Sequence, residues 1–397
     1  MLKKNENLCA KPLKSTSLCF QKLNIPSSKK SMTKRNRNIS IITACTALIF
    51  SLAGGCSAYK SLGDNPDGED LNKIEKLSNY KNQEFQNLDS AGVDFSKVSK
   101  MALMKTMYNR PADARPSKRL PSVKTNLESS YATPTVIWFG HSSFLIKTKG
   151  INILVDPDFS GYAGPNSWFV KAYDGSDVFK LKDMPRIDVL LISHDHYDHL
   201  DYQTVKELKK RVNHVIVPMG IGSHFRYWGY EASQIHELNW NESFQVSPSV
   251  NITVTPARHE SGRTLSMRKT LWGSFVIKAD GYKLFYSGDS AYGRHFKTIG
   301  ETYGPFDLAM MECGQYNKLW SRNHMFPEQT ALAASEINAK VILPVHWAKF
   351  TEAAHPWNEP VKRLLPAAKK LRIPVTIPKI GQPYSIGSAI IQDNWYN

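Results

Sequence analysis

Between residues 189 and 201 the chain reads Val189-Leu190-Leu191-Ile192-Ser193-His194-Asp195-His196-Tyr197-Asp198-His199-Leu200-Asp201, an apolar run that ends in a cluster of histidines and aspartates. A short apolar run of this kind reads as a buried β-strand. Side chains of an extended segment alternate between its two sides, so His194 and His196 face the same way and can grip one metal ion together. Where the chain then turns towards a helix starting at Tyr202, Asp198 and His199 are directed differently and can reach a second ion beside the first. A loop of unpaired histidines in this place would lose solvation without return. The cluster therefore constrains the fold: each ion wants about four ligands, so donors from distant parts of the chain must converge on the same strand ends.

Three candidates sit where such donors are expected, just past a β-like run. His259 follows Ile252 to Pro256, Asp289 follows Lys283 to Ser287 within Ser287-Gly288-Asp289, and His346 follows Val341 to Pro344 within Pro344-Val345-His346-Trp347. Further strands are expected at 136–139, 143–146, 151–157, 189–193, 214–218, 274–278 and 308–312, with helical spacing from Tyr202 to Arg211. The early strands are joined as hairpins and the later ones alternate with helices, which predicts one α/β domain built on two sheets. With 41% hydrophobic residues in 397, the chain has ample material for such a core. Cys313 is expected as a buried strand residue.

The formal net charge is +16, but residues 1–55 hold ten basic residues against the single acid Glu6, leaving +7 for the rest. That modest excess does not call for a nucleic-acid partner. Met32 is followed by Lys34, Arg35 and Arg37, by the apolar run Ile39 to Ala53, and by Leu52-Ala53-Gly54-Gly55-Cys56, the order of a secretory signal whose true start is expected at Met32. The apolar run is 15 residues long, short of the roughly 20 that span a bilayer as a helix. Small residues before a cysteine resemble a bacterial lipoprotein box, which implies a lipid on Cys56 and an envelope location, periplasmic or outer-membrane. Ala53 stands where that box usually has Leu. Residues 56–130, rich in Asn, Asp, Lys and Ser, read as a tether and an arm with a short helix or two, and 131–397 as the catalytic domain.

The pattern His-X-His-X-Asp-His, followed by a lone His, a Gly-Asp and a late His, resembles the metallo-β-lactamase superfamily. Longer runs are similar to its N-acylphosphatidylethanolamine-hydrolysing phospholipase D branch: Trp138-Phe139-Gly140-His141, His196-Tyr197-Asp198-His199-Leu200-Asp201-Tyr202, Arg263-Thr264-Leu265, Leu271-Trp272-Gly273-Ser274, Gly304-Pro305-Phe306-Asp307-Leu308-Ala309 and His346-Trp347. The resemblance implies a four-layer αββα sandwich with two divalent ions, Zn²⁺ suiting the N and O donors best, with Mn²⁺ or iron as alternatives. It implies His194, His196 and His259 on the first ion, Asp198, His199 and His346 on the second, and Asp289 bridging them. His324, in Asn323-His324-Met325, takes the place of the branch's active-site histidine, and Asp198 joins it in catalysis as well as in binding metal. His141 takes a supporting place outside the ligands.

The reaction so implied is attack by a hydroxide between the ions on a phosphodiester bond of a phospholipid such as N-acylphosphatidylethanolamine. A lactone, another ester or another phosphodiester is the alternative substrate, and a metal-binding surface lipoprotein without catalysis the alternative of another class. Lipid or small-molecule ester and the membrane surface are the expected partners. Trp168, Phe169, Tyr173 and Trp320 are read either as the walls of an apolar groove or as plain core and rim.

Overall fold

Two mixed sheets carry the site in the computed structural model, which describes residues 58–89, 99–263 and 266–397. The expected signal segment and Cys56 lie outside the described residues, as do Thr264 and Leu265. After a helical turn at 58–61, the described chain forms helix α1 (Gly68–Ile74), a small hairpin of β1 (Tyr80–Lys81) and β2 (Glu84–Phe85), and helix α2 (Lys100–Tyr108). Next come β3 (Thr135–Trp138), β4 (Phe144–Thr148) and β5 (Ile151–Val155), an outlying hairpin of β6 (Tyr162–Ala163) and β7 (Val170–Lys171), and β8 (Ile187–Leu191). Helix α3 (Tyr202–Leu208), β9 (Val212–Pro218), α4 (Gly222–Tyr227) and β10 (Ile235–Leu238) complete this half. The second half runs β11 (Ser243–Ser247), β12 (Val250–Thr255), β13 (Ser274–Ala279), β14 (Tyr282–Tyr286), α5 (His295–Tyr303), β15 (Leu308–Glu312), α6 (Pro327–Glu336), β16 (Ile342–Val345) and α7 (Glu359–Lys370). Finally β17 (Pro383–Ser385) returns to pair with β3.

The seven-stranded sheet has the order β10-β9-β8-β5-β4-β3-β17 and the six-stranded sheet β11-β12-β13-β14-β15-β16. Strand alternation builds the layers. Val136, Trp138, Ile146, Ile153, Val155, Val189 and Leu191 face inward and share one core with Ile252, Val254, Phe275 and Ile277 of the other sheet. Their neighbours Ile137, Leu145, Leu154 and Leu190 point to the opposite face and pack with Val205 and Leu208 of α3 and Phe225 of α4. Phe296 and Ile299 of α5, Ala331 and Ala334 of α6, and Val361 and Leu364 of α7 join the core of the second sheet. This is the αββα sandwich expected.

The differences from expectation lie at edges. Strands β10, β11 and β17, none of them expected, are three of the four outer strands of the two sheets, where a short segment pairs on one side only and a weak apolar pattern suffices. The helix expected to reach Arg211 ends at Leu208 and tightens into a 3₁₀ turn, Lys209–Arg211, before the chain reverses into β9. Strand β8 ends at Leu191, so Ser193 already belongs to the loop of ligands. Cys313 is fully buried one residue past β15. The arm is packed: Ile74, Tyr80, Phe85 and Leu120 belong to the inter-sheet core. Among the described residues no helix is long and apolar enough to cross a membrane.

Strands β5, β8 and β9 run parallel, as do β14, β15 and β16. Strand β3 is antiparallel to β4, which is antiparallel to β5, and β12 is related to β14 through β13 in the same way. Hence β3, β5 and β8 end at one edge of the first sheet, and β12, β14, β15 and β16 at one edge of the second. Every expected ligand follows one of these ends.

Candidate metal centre

The loop after β8 delivers His194 and His196 with ring centroids 4.6 Å apart, and His194 Nε2 lies 2.9 Å from His196 Nδ1. From the end of β12, His259 brings its Nε2 within 3.2 Å of that same His196 nitrogen. Across from this trio, His199 Nε2 lies 3.1 Å from Asp198 Oδ2 and 3.2 Å from Asp289 Oδ2, and His346 Nδ1 lies 3.3 Å from Asp289 Oδ1. Asp289 Oδ2 is also 3.8 Å from His194 Nε2 and 3.9 Å from His259 Nε2, so this carboxylate stands between the two groups. Gly288 sets it there. Its φ of +55° and the carbonyl of Gly273, which would sit 2.5 Å from any added Cβ, admit no other residue.

The residues fit a pair of metal ions. Donor atoms of His194, His196 and His259 lie within 4.8 Å of one another, as do those of His194, His199 and Asp289, and those of His141, Asp198, His199 and His346. His199 Nε2 and Asp289 Oδ1 are buried and make no hydrogen bond among the described residues, close to partners in distance but not in angle. Buried polar atoms left in this way call for a partner from outside the chain. Burial holds His194, His259 and His346 well below the usual histidine range, in the neutral form that metals bind. For Asp289 burial works the other way, but His199 and His346 outweigh it and keep the carboxylate ionised; His199 and His141 do the same for Asp198.

Groups behind the donors fix their orientation. Asp156, fully buried at the end of β5, holds His199 Nδ1 at 2.8 Å and accepts hydrogen bonds from Ser193 N, Ser193 Oγ and Tyr286 Oη. His259 Nδ1 faces the carbonyl of Asn323 at 3.1 Å. Each leaves Nε2 for the centre, the usual arrangement behind a metal-binding histidine. His141, at φ +51°, has Nε2 2.9 Å from Asp198 Oδ2, while its backbone N–H donates to Trp347 O and its carbonyl accepts from His346 N. The two sheets are thus stitched together at the site.

Asp195, between two expected ligands, turns away from the centre. It accepts from Gly262 N and Thr270 Oγ1 and lies 3.1 Å from His224 Nε2, whose hydrogen bond and charge overcome burial to bring its carboxyl down to about 2. Beside it the buried Arg263 donates to the carbonyls of Asp195, Leu200 and, twice, Ser61, so one guanidinium clamps both ends of the loop to the arm. Arg263→Ala leaves three carbonyls short of a donor and should cost about 3 kcal/mol in chemical denaturation. Arg263→Lys, lacking the fork, should recover only part of it; wild-type stability in both variants would refute the clamp.

His324 lines a cavity of about 460 Å³ together with His196, Asp198, His259, Asp289 and His346. Its Nδ1 lies 3.0 Å from Glu312 Oε2. Burial pushes the Glu312 carboxyl up to about 7, and against burial the same carboxylate raises His324. Glu312 and Asp156 were not among the expected site residues, although both stand at the end of a β-run, the position that marked His259 and Asp289. Of the four aromatics, Trp320 lines the cavity. Tyr173 is buried, its hydroxyl donating to Phe350 O, while Trp168 and Phe169 are exposed at 91% and 53%.

Histidines and carboxylates gathered at one edge of two facing mixed sheets, beneath an open cavity, define a metal-dependent hydrolase. Residues 151–347 match the model of the Beta-lactamase superfamily domain. The uncharacterized protein Rv0906 of Mycobacterium tuberculosis is 35% identical over 345 residues, 84% of this chain and 92% of that protein. The N-acyl-phosphatidylethanolamine-hydrolyzing phospholipase D 1 of Caenorhabditis elegans is 28% identical over 70% of this chain and 83% of its own length. Among solved structures, CmlA, a diiron beta-hydroxylase from Streptomyces venezuelae, superposes with a TM-score of 0.50 at 18% identity, covering 65% of this chain and 55% of that one; this likeness is one of fold. The chain belongs to the metallo-β-lactamase superfamily.

Proposed function

We propose that the protein is a phospholipase D-type enzyme that hydrolyses a phosphodiester bond of a membrane phospholipid at a dinuclear centre, with Zn²⁺ as the resident metal and Mn²⁺ or iron as alternatives. The observation that carries this reading is the cavity itself: both groups of donors open into one space, and His324 and Trp320 complete its wall. His194, His196 and His259 would hold one ion, Asp198, His199 and His346 the other, with Asp289 shared. Two ions so held supply Lewis acidity and lower the pKa of water in the cavity. The chain's own residues do the rest. Glu312 holds His324 by Nδ1, which leaves the other ring nitrogen to pass a proton to the departing alcohol, and Asp198 orients the attacking water. The similarity to the nematode phospholipase D supports the substrate class.

Two features support work at a lipid surface. Helix α2 sends Leu103 to the cavity wall and leaves Met101, Met104 and Tyr108 exposed at i, i+3 and i+7, an apolar stripe on its outer face. The lipoprotein-like Cys56 would hold the enzyme in the bacterial envelope beside its substrate. The test is mass-resolved hydrolysis of mixed phospholipids by the metal-loaded form beginning after Cys56, with metal counted on the same sample. Phosphatidic acid released by a protein holding about two ions per chain is the expected result. Two ions without lipid cleavage would overturn the phospholipase reading and move the search to lactones and other esters.

A further inference from the structure

Two turns at the centre carry a backbone conformation that side chains disfavour. His141 stands at φ +51°, His346 at +66° and Ala348 at +62°, in the left-handed region that residues with a Cβ occupy only where their surroundings hold them. Backbone bonds supply part of that hold: His346 N donates to His141 O at 2.9 Å, and His141 N to Trp347 O at 2.8 Å. Gly314 packs so close that a Cβ there would meet the carbonyl of His346 at 2.0 Å. Trp347, between the two left-handed residues 346 and 348, is fixed by a group of tryptophans.

Trp347 lies 5.5 Å from Trp138, 5.3 Å from Trp395 and 6.2 Å from Trp357 between ring centroids, with planes inclined by 25°, 21° and 13°. Trp395 in turn lies 6.4 Å from both Trp138 and Trp357. Such spacings are favourable for aromatic pairs. Trp138 Nε1 donates to the same His141 carbonyl that receives His346 N, so the group reaches the ligand by two routes. The four indoles come from distant parts of the chain: Trp138 ends β3, Trp347 follows β16, Trp357 precedes α7 and Trp395 follows β17. Bonds along its length hold the segment that carries Trp395. Ile377 N donates to Ile391 O at 2.7 Å, Lys379 pairs with Asp393 at 2.7 Å, Trp395 Nε1 donates to Ile377 O at 3.0 Å, and Asn358 Nδ2 donates to Tyr396 O at 2.6 Å. Trp138 and Trp347 are fully buried, whereas Trp395 is half-buried and closes the group on its outer side.

Building on the dinuclear reading above, we infer that Trp395 is a positioning residue for the second ion: through Trp347 it holds His346 at the backbone angles that aim this ligand at Asp289 and His199. His346 Nδ1 lies 3.3 Å from Asp289 Oδ1, and its ring centroid 5.3 Å from that of His199. A ligand held in an unfavourable conformation relaxes when its support is removed, and groups behind a ligand are typically worth about 10–100-fold in metal affinity. The donors of the first ion, His194, His196 and His259, follow β8 and β12 and have no ring contact with the indoles among the described residues. Removing Trp395 therefore acts on one ion and spares the other.

The experiment titrates zinc into the full-length wild type, Trp395→Ala, Trp395→Leu, Trp395→Phe, His346→Ala and the double variant Trp395→Ala/His346→Ala, with bound metal counted and stability measured on each. The wild type should hold about two ions. Trp395→Ala and Trp395→Leu should weaken the second by about 10-fold or more and leave the first at wild-type strength, and Trp395→Phe should recover most of the loss. The double variant should bind as His346→Ala does, because the two residues act as one. Phe244→Ala, which removes a half-buried ring from β11, should keep both ions and controls for a general loss of stability. A second ion held at wild-type strength in both Trp395→Ala and Trp395→Leu would overturn the inference while the dinuclear reading stood. So would an equal loss in Phe244→Ala, or a double variant that binds more weakly than His346→Ala. A wild type that holds fewer than two ions would overturn both.

Discussion

Asp289→Ala should abolish metal binding and turnover together. The carboxylate stands between the two groups of donors, within 3.2 to 3.9 Å of nitrogens on His199, His346, His194 and His259. On the proposed reading, removing it would take a ligand from both ions and the negative charge that balances them. Activity should fall by about 10³-fold or more, with metal content well below two per chain by elemental analysis. The fold should tolerate the change, because the cost of burying an anion disappears with it. Full metal content in a soluble Asp289→Ala protein would refute the shared role of this residue.

His324→Ala should separate the two properties. Its ring lies against His346 and His259 at centroid distances of 5.0 and 5.2 Å but stands outside both groups of expected ligands. Metal content should stay at the wild-type level while kcat falls by about 10²–10⁴-fold, the range for losing a positioned acid or base. Because the variant also leaves the buried Glu312 without its partner, His324→Gln serves as a second probe that keeps a hydrogen bond to that carboxylate. Turnover retained in both variants would remove His324 from proton transfer. Metal lost in both would make it a ligand.

Much of this site can be read from the order of residues. His194, His196 and His199 declare themselves because they crowd the end of one strand, and His259, Asp289 and His346 because each follows a β-run. The apolar signal within those runs is strong where both sheet faces are buried, as in β5 and β8. It is weak in β10, β11 and β17, which pair on one side only. The groups behind the ligands are harder to see. Asp156 and Glu312 act through contacts that span 43 and 12 residues, and nothing local distinguishes them from any acid at a strand end. Arg263 belongs to a quoted run, but its clamp on Ser61 joins positions 202 residues apart. Chemistry that depends on one residue type shows in sequence; chemistry that depends on who meets whom does not.

The Arg263 clamp also sets a length. Ser61 is pinned beside the metal loop, and only five peptide links separate it from Cys56. Fully stretched, they span about 18 Å. With a lipid at Cys56, the catalytic body would hang on a leash of that length. Such an enzyme works only in the leaflet that holds its anchor. Its encounters become a search in two dimensions, and its rate follows the surface density of substrate rather than the bulk concentration.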